Sequence, residues 1–445
     1  MELPKIVKEI FTKFEHSKYQ IYLVGGSVRD LLLDRQVTDW DFTTDATPDE
    51  ILKVFPGGHY NNKFGTVGIP YDNGIIQITT MRKEGDYQDF RHPGKVEWTK
   101  NLNEDLKRRD FTVNALAQNS RGQITDLFDG QGDLKNKIIK NVGNPADRFK
   151  EDALRLIRAV RFAAQLDFEV DQKTFSSIKE NVGLIKAVAF ERIRDEIFKI
   201  LASKNPLKGF ILLRDCGILE IVLPEVAKTF GVKQDGPKHD RKYDVGEHSF
   251  LTLKETPSTD PLVKFAALLH DIGKVKTMRV NHDGNVTFYN HEVVGSRQTK
   301  EIAKRFKLSN EQTEKLVKLI RWHLFTVDEN QTDSAVRRFV KNIGVQNVED
   351  MYHLRIGDRL GGGTQTAVSW RMEDFFKKRI PAVLTKPFSI TDLKVSGKDV
   401  MNTLNIQPGP KVGKILQTLF EEVQENSDKN NRDYLLKKLT SLRNN

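Results

Sequence analysis

Two neighbouring stretches decide the fold: Leu23–Leu33, with the sequence LVGGSVRDLLL, and Asp39–Phe42, with the sequence DWDF. The apolar residues up to Val24 predict a buried strand, and the glycine pair Gly25–Gly26 predicts a tight turn into a helix capped by Ser27 or Asp30. Such a turn offers backbone N–H groups to an anion, and Arg29 adds a guanidinium that fits phosphate oxygens. The first stretch therefore predicts a phosphate site at the end of a strand.

The second stretch contains two carboxylates, Asp39 and Asp41. Residues two apart in a strand project from the same face, so both side chains are expected to converge. Converging carboxylates repel each other unless a cation lies between them, and hard oxygen ligands suit Mg²⁺ that carries substrate phosphates. The pair beside a Gly-Gly turn favours metal-assisted nucleotidyl transfer. The alternative is that both are solvated turn residues, as in most Asp-x-Asp pairs.

Length and composition bound the class of protein. A chain of 445 residues predicts three or four domains at about 100–150 residues each. The sequence has 38% hydrophobic and 30% charged residues. It contains no apolar run near the ~18–20 residues of a membrane span and no signal-peptide core, so we expect a cytoplasmic protein without a membrane partner. The net charge of +10 permits affinity for a polyanion. The one cysteine, Cys216, is expected to be a buried thiol.

The first part of the chain alternates predicted helices and strands. Residues 1–20 predict an amphipathic helix, and Thr47-Pro48 predicts a capped helix start. Strands at 65–69 and 75–80 flank an Asn-Gly hairpin signal. The polar loop Arg82–Gly94 is of the kind that moves over a site, although its composition fits a plain connector nearly as well.

Two later segments carry arginines beside aspartates. In Arg108-Arg109-Asp110 the usual interpretation is a surface ion pair; next to a phosphate site, Arg109 is expected to bind triphosphate and Asp110 to hold that arginine. From Ala146 onward the pattern becomes helical, and Phe149–Phe162 predicts one helix with a polar ridge formed by Asp152, Arg155, Arg158 and Arg161. That ridge is either a solvated face or a surface that hydrogen-bonds a nucleobase edge.

Taken in order, six segments resemble the motifs of class II tRNA nucleotidyltransferases, the CCA-adding enzymes, with bacterial poly(A) polymerases as siblings. The resemblance covers residues ~20–225 and is carried by Gly25–Asp30, Asp39–Asp41, Arg108–Ala115, Asp126–Gly130, Glu151–Arg155 and Phe190–Ile193.

The resemblance implies a role for each matched residue. Asp39 and Asp41 are expected to be the catalytic pair that holds Mg²⁺, while Asp152 and Arg155 are expected to select CTP and then ATP. The residues expected to bind the incoming nucleotide are Gly26, Arg29, Arg109, Asp152, Arg155, Arg158 and Arg161. Those expected to support them are Asp110, Glu191 and Arg192. The nucleophile would be the 3′-hydroxyl of a tRNA lacking its 3′ CCA.

The family divides by product, and the loop between the carboxylates and Arg108–Asp110 is informative. Enzymes that add all three nucleotides have a flexible loop there, which resembles Arg82–Pro93, whereas CC-adding enzymes lack it. Complete CCA addition is therefore expected. A CC-adding enzyme or a poly(A) polymerase is the alternative.

A widely spaced His/Asp series over residues ~240–365 resembles the HD superfamily of metal-dependent phosphohydrolases. The resemblance implies a first metal held by His248, His270, Asp271 and Asp358, and a possible second held by His291 and His323. A divalent transition metal there would hydrolyse a phosphoester such as a 2′,3′-cyclic phosphate. Packed histidines without metal are the plain alternative. A different class of function makes the chain mainly this phosphohydrolase, with an RNA-binding N-terminal half.

The expected fold class is α+β. A nucleotidyltransferase-type mixed β-sheet palm with helices is followed by an all-α neck, an HD-type helical body and a helical tail. The expected domains are residues 1–140 (head and palm), 141–225 (neck), 226–380 (HD-type body) and 381–445 (tail). Lys411 and Lys414 in the tail are expected either to contact the tRNA backbone or to belong to a structural cap.

Overall fold

The computed structural model describes residues 3–60, 65–71, 74–84, 96–234, 243–282, 284–325, 327, 331–363, 368–384 and 390–443. The chain divides into two compact units, Met1–Val232 with Glu301–Leu308, and Lys233–Lys300 with Ser309–Asn445. The finer four-part division stays a prediction. Within the described ranges, no helix has the length and apolar character that crossing a membrane requires.

A mixed sheet forms the start of the first unit. Its seven strands are β1 (Ile21–Val24), β2 (Asp41–Thr44), β3 (His59–Tyr60), β4 (Thr66–Tyr71), β5 (Gly74–Thr80), β8 (Leu116–Gln118) and β9 (Ile124–Asp126). The strands β6 (Arg82–Glu84) and β7 (Val96–Trp98) form a separate two-stranded sheet. The seven strands lie in the order β3-β4-β5-β2-β1-β8-β9. Only β2 and β5 pair in parallel, so the predicted mixed sheet is confirmed.

The helices of this region are α1 (Lys5–His16), α2 (Gly26–Leu32), α3 (Pro48–Val54), α4 (Leu102–Lys107) and α5 (Gly130–Asn136). The amphipathic pattern of α1 is confirmed, because its apolar face is buried and Phe11 packs edge-on against Phe42 at 5.3 Å. The capped helix start predicted at Thr47 is also confirmed, and the structure shows it as a capping box with Glu50. The cap predicted for α2 is wrong, since Gly25 is the N-cap and no side chain caps that helix.

Helices then follow one another: α6 (Pro145–Glu151), α7 (Leu154–Leu166), α8 (Gln172–Asn181), α9 (Phe190–Leu201), α10 (Pro206–Asp215), α11 (Ile218–Val222) and α12 (Pro224–Ala227). A short parallel pair, β10 (Ile138–Ile139) with β11 (Glu169–Val170), lies among them. The single helix predicted over Phe149–Phe162 is wrong, because Asp152 is extended (φ −139°, ψ 104°) between α6 and α7. Cys216 is buried as predicted.

The second unit is largely helical: α13 (Val245–Glu255), α14 (Pro261–Leu269), α15 (Lys274–Thr277), α16 (His291–Arg305), α17 (Asn310–Trp322), α18 (Asp333–Ile343), α19 (Val348–Gly361), α20 (Trp370–Asp374) and α21 (Ile380–Leu384). A π-helical turn at Phe375–Arg379 joins the last two, and β12 (Arg279–Val280) pairs with β13 (Val286–Thr287). The last residues of α16, from Glu301, belong to the first unit. Gly357 and Gly361 let α19 approach α13 closely. A Cβ on Gly357 would lie 2.1 Å from Thr256 Oγ1, and a Cβ on Gly361 would lie 2.6 Å from Thr252 N.

The tail has a core of its own. Its helices are α22 (Gly397–Leu404), α23 (Pro410–Glu425) and α24 (Arg432–Arg443). Val400, Leu419, Val423 and Leu439 are among the side chains buried between them. Short 3-10 helices elsewhere are Thr112–Asn114, Val182–Ala187, Val345–Asn347, Ile390–Asp392 and Ser427–Lys429.

Candidate active site and metal centre

A cavity of about 540 Å³ opens in the first unit between the turn after β1, the bend before β2, the turn after α4 and the face of α7. Eight of the predicted site residues line it: Gly26, Arg29, Asp39, Asp41, Arg109, Asp110, Arg158 and Arg161. Four others do not belong to its lining: Asp152, Arg155, Glu191 and Arg192. The structure therefore brings the carboxylate pair together with most of the predicted arginines.

The carboxylates converge by a different route from the predicted one. Asp41 begins β2, but Asp39 lies in the bend before that strand, so the pair does not share a strand face. Ser27 holds the bend, because its buried hydroxyl donates to the Asp39 carbonyl and accepts from the Asp41 N–H, each at 2.9 Å. Ser27, which was predicted as a helix cap, is thus a positioning residue for both aspartates.

The environment of Asp41 fits a bound cation. The pKa of Asp41 is raised to about 6, chiefly by burial; the charge of Arg109 opposes this rise and the charge of Asp39 adds to it. A divalent cation at these oxygens would offset the repulsion and return Asp41 to the ionised form. Two carboxylates are also the donor type that Mg²⁺ prefers. The residues present therefore fit a magnesium ion.

Arg29 and Arg109 are held on the wall of the cavity by other side chains. Arg29 donates from Nε and Nη2 to Asp30 and from Nη1 to Asn114 Oδ1 at 2.8 Å. Arg109 forms an ion pair with the buried Asp105 at 3.3 Å. Asn114 lies 85 positions from Arg29, so its role could not be recognised from a local motif, whereas Asp105 is only four residues from Arg109 and that spacing could have identified it.

The predicted partner of Asp110 is wrong. Asp110 accepts hydrogen bonds from Arg158, which lies on α7, and not from Arg109. Burial raises the pKa of Asp110, but the charge and hydrogen bonds of Arg158 outweigh burial and hold that pKa well below its usual range. Arg161 pairs with Glu196 at 2.7 Å and stacks on Phe162 with 3.8 Å to the ring centre. Burial lowers the pKa of Arg161 to about 10.

Asp152 and Arg155 have structural partners outside the cavity. The Asp152 carboxylate accepts from the Leu154 N–H at 3.1 Å and from Arg192 Nη2 at 2.8 Å, so it joins the start of α7 to α9. Arg155 is buried and donates to the Arg108 carbonyl at 2.9 Å. Glu191, the remaining predicted support residue, pairs with Lys307 in the same unit. The roles given to these residues by resemblance stay predictions.

A second cluster lies within the second unit. All six predicted residues meet around Asp271, which is 2% exposed. The Asp271 carboxylate lies 3.2 Å from His270 Nε2, 3.2 Å from His291 Nε2, 3.5 Å from His248 Nε2 and 3.8 Å from His323 Nε2. Asp358 belongs to the same cluster, because its Oδ1 lies 3.2 Å from His248 Nε2. Two groups of three residues are close enough for one metal each: His248, His270 and Asp271, and Asp271, His291 and His323.

The histidine tautomers also fit a metal centre. In His270, His291 and His323, Nδ1 lies 2.7–2.8 Å from the backbone carbonyl three residues earlier. A carbonyl only accepts, so each Nδ1 carries a proton, and the Nε2 atom of each ring is left on the side of Asp271, where it could bind a metal. Burial lowers the pKa of His323 to about 3, which keeps that ring neutral. The Nε2 atoms of His248 and His270 are 3.1 Å apart, a contact that a shared cation would satisfy.

Further residues complete this centre. Lys274 Nζ lies 2.6 Å from both Asp271 Oδ2 and Gln234 Oε1, and Arg355 Nη1 lies 2.6 Å from Asp358 Oδ2. A cavity of about 550 Å³ opens onto the cluster, with Tyr289 and Leu324 among its lining residues. Gln234 lies 40 positions from Lys274 and has no local signal, whereas Arg355 is three residues before Asp358 on α19 and that spacing could have identified it.

Three family models match the chain. The model described as "Poly A polymerase head domain" matches residues 21–140, and "Probable RNA and SrmB- binding site of polymerase A" matches residues 167–230. The model described as "HD domain" matches residues 246–345.

Curated relatives match mainly over one part of the chain. A CCA-adding enzyme of Lactobacillus delbrueckii subsp. bulgaricus is 47% identical over 212 residues, which is 46% of this chain and 54% of that protein. A CCA-adding enzyme of Ligilactobacillus salivarius is 50% identical over 202 residues, 45% of this chain and 50% of that protein. The chain thus spans about half the length of the curated relatives it matches.

Solved structures match over the whole chain. The Bacillus stearothermophilus CCA-adding enzyme in complex with CTP gives a TM-score of 0.73 at 24% identity, covering 100% of this chain and 98% of that one. The Thermotoga maritima CCA-adding enzyme in complex with tRNA gives 0.57 at 21% identity, covering 99% and 96%. At these identities the likeness shows a shared fold.

The sheet and the carboxylate pair thus lie in the segment that matches a poly(A) polymerase head domain, and most of the histidine cluster lies in the segment that matches an HD domain. Over about half of its length the chain is similar to CCA-adding enzymes.

Proposed function

We propose that this chain adds CCA, from CTP and ATP, to the 3′ end of tRNA that lacks it, by Mg²⁺-dependent nucleotidyl transfer. The observation that carries the proposal is one cavity in which Asp39 and Asp41 face Arg29 and Arg109. The names of the curated relatives and their 47–50% identity over slightly less than half of the chain support the same reaction. Because the proposed substrate is tRNA, we also propose a cytoplasmic location.

Two aspartates of the cavity would hold the metal, and two arginines would bind the phosphates. Asp39 and Asp41 would hold Mg²⁺, which supplies positive charge to the reacting phosphate and lowers the pKa of the tRNA 3′-hydroxyl. Arg29 and Arg109, each fixed by a second side chain, would bind the triphosphate oxygens. The tRNA 3′-oxygen then bonds to the α-phosphorus, the bond from that phosphorus to the β-phosphate oxygen breaks, and diphosphate leaves while the hydroxyl proton passes to solvent.

The base would be selected from the α7 side. Arg158 and Arg161 line the cavity and are fixed by Asp110 and Glu196, which gives their donors defined directions. Asp152 and Arg155 would join them once the base is bound, although neither lines the cavity in the structure. Their side chains would then exchange the internal partners described above for a nucleobase edge.

The product is decided by a direct assay. The purified chain is incubated with Mg²⁺, CTP, ATP and a tRNA transcript without its 3′ CCA, and the 3′ ends are sequenced. Addition of C, C and A followed by a stop is the expected result. Arrest after two cytidines would identify a CC-adding enzyme, and a long adenylate tail a poly(A) polymerase. The loop Arg82–Gly94 on which this distinction depends falls mainly on residues 85–95, outside the described residues.

We infer a second activity at the histidine cluster, hydrolysis of a phosphoester such as a 2′,3′-cyclic phosphate with a divalent transition metal. The supporting observation is that two groups of three residues, each close enough to hold one metal, share Asp271, and that contacts from Nδ1 to backbone carbonyls fix the rings of His270, His291 and His323. The test compares wild type with His270→Ala on an RNA that ends in a cyclic phosphate. If His270→Ala removes the chain's main activity and Asp39→Ala does not, the chain is mainly a phosphohydrolase.

A further inference from the structure

A separate cavity of about 430 Å³ lies in the second unit beside the histidine cluster. Its lining consists of Phe325, Val327, Arg355, Arg359, Ser369, Trp370, Arg371 and Met372. Arg355 also lines the cavity that opens onto the cluster, so the two cavities meet at this side chain. Nothing in the proposed chemistry of the cluster uses Trp370 or Arg371.

The wall of this cavity is strongly basic. It carries three arginines, and none of the described residues that line it is acidic. Arg355 and Arg359 lie four residues apart on α19 and so share one face of that helix. Arg355 donates to Asp358 at 2.6 Å, and Asp358 lies 3.2 Å from His248 in the cluster. The cavity therefore places three arginine side chains next to the cluster.

The cavity also presents a large exposed aromatic ring. Trp370 is 62% exposed, although a tryptophan of a folded protein is usually largely covered. The Arg371 guanidinium lies over this ring, 5.2 Å from its centre, and Arg355 lies 5.8 Å from the centre of the Phe325 ring. An exposed indole in a cavity whose lining contains three arginines is a combination that binds a nucleobase by stacking and its phosphates by charge.

We propose that this cavity binds one nucleotide of single-stranded RNA, with its base stacked on Trp370 and its phosphate bound by Arg359 and Arg371. The adjoining phosphoester then lies at the histidine cluster, with Arg355 between the two positions. This inference rests on the proposed hydrolytic function of the cluster, for which it names the substrate class. A small phosphoester without a base would use the cluster without using Trp370.

Binding by the full-length chain is measured by calorimetry with the ribodinucleotide CpA carrying a 3′-phosphate, and any binding in the head cavity is a background common to all the variants compared. Ribose 5-phosphate and inorganic phosphate are the ligands without a base. Trp370→Ala is expected to weaken dinucleotide binding about tenfold and to leave ribose 5-phosphate binding unchanged. Trp370→Phe should restore most of the affinity. Trp98→Ala is the matched control, since Trp98 is a 42% exposed tryptophan of the first unit.

The proposal is overturned if Trp370→Ala binds the dinucleotide like wild type, or if the loss is equal for ribose 5-phosphate. A hydrolysis assay separates this proposal from the function of the cluster. Wild type and Trp370→Ala are compared on CpA with a 2′,3′-cyclic phosphate and on ribose 2′,3′-cyclic phosphate, which has no base, and only the KM for the dinucleotide should rise. If wild type hydrolyses neither compound, the hydrolase function fails while the calorimetry still decides on the nucleotide site.

Discussion

Arg158 donates from Nε to Asp110 Oδ2 across 2.8 Å, joining α7 to the turn after α4. The two residues are 48 positions apart in sequence, and Asp110 also accepts from the N–H of Phe111 and from Asn114. Since Asn114 in turn accepts from Arg29, one aspartate organises both walls of the proposed nucleotide cavity. Stability and substrate binding are therefore linked at Asp110.

Asp110→Asn should destabilise the chain by about 2 kcal/mol. That is less than the ~3–5 kcal/mol for a fully buried pair because the Arg158 side chain keeps 31% exposure. Urea unfolding of the two proteins measures the difference. Asp195→Asn is the control, because Asp195 pairs with Arg194 at 55% exposure and should change stability by less than about 0.5 kcal/mol. Equal losses in both variants would contradict the proposed importance of the Asp110 pair.

The same pair should make stability depend on pH. The pKa of Asp110 in the folded chain is far below its ordinary value of about 4, so its contribution is complete above pH ~4 and is lost as the pH falls further. The difference between wild type and Asp110→Asn should be constant from pH 8 to 5 and should shrink below pH 4. Urea unfolding at pH 7, 5 and 3.5 tests this. If the stability difference between wild type and Asp110→Asn grows as the pH falls, the prediction is contradicted.

Ser27→Ala should impair nucleotide incorporation more than folding. The substitution removes both hydrogen bonds of the Ser27 hydroxyl and leaves the Asp41 N–H without that partner, at a cost of about 1–3 kcal/mol. Because Asp39 and Asp41 then lose their shared anchor, we expect kcat for CMP incorporation to fall at least about tenfold. Ser441→Ala, on the exposed side of α24, is the matched control. An unchanged kcat in Ser27→Ala would contradict the proposed role of Ser27 in positioning Asp39 and Asp41.

Metal binding at the histidine cluster is tested by metal content. Elemental analysis of the purified wild type should find a divalent transition metal, which His270→Ala and Asp271→Asn lose. His282→Ala serves as control, since His282 is exposed and outside the cluster. Equal metal content in all four proteins would contradict the assignment. CMP incorporation should remain in the cluster variants, because the carboxylates of the head are separate residues.

Local sequence patterns predicted much of the fold. The glycine turn after Val24, the capped start of α3 and the amphipathic α1 follow from short-range rules and are confirmed. The break at Asp152 was missed because neither Gly nor Pro marks it. It arises from the Asp152 bonds to Leu154 and to Arg192, of which the second is 40 residues away.

Site residues were predicted where a motif is contiguous. The histidine cluster was recognisable because His270 and Asp271 are adjacent behind an apolar helix, and the remaining histidines followed by resemblance. Partners from distant segments, such as Gln234 for Lys274 and Asp110 for Arg158, depend on tertiary packing. No spacing rule connects such pairs, so their contacts become visible only in the folded chain.

The most direct test of the head cavity is incorporation of labelled CMP into a tRNA lacking CCA by wild type, Asp39→Asn and Asp41→Asn. The amide keeps the shape of each side chain and removes the charge that would hold Mg²⁺. We predict that each variant loses at least about 10³-fold in rate at any Mg²⁺ concentration, while circular dichroism and the urea midpoint stay close to wild type. Incorporation by either variant at a rate near wild type would contradict the claim that this carboxylate pair carries out the transfer.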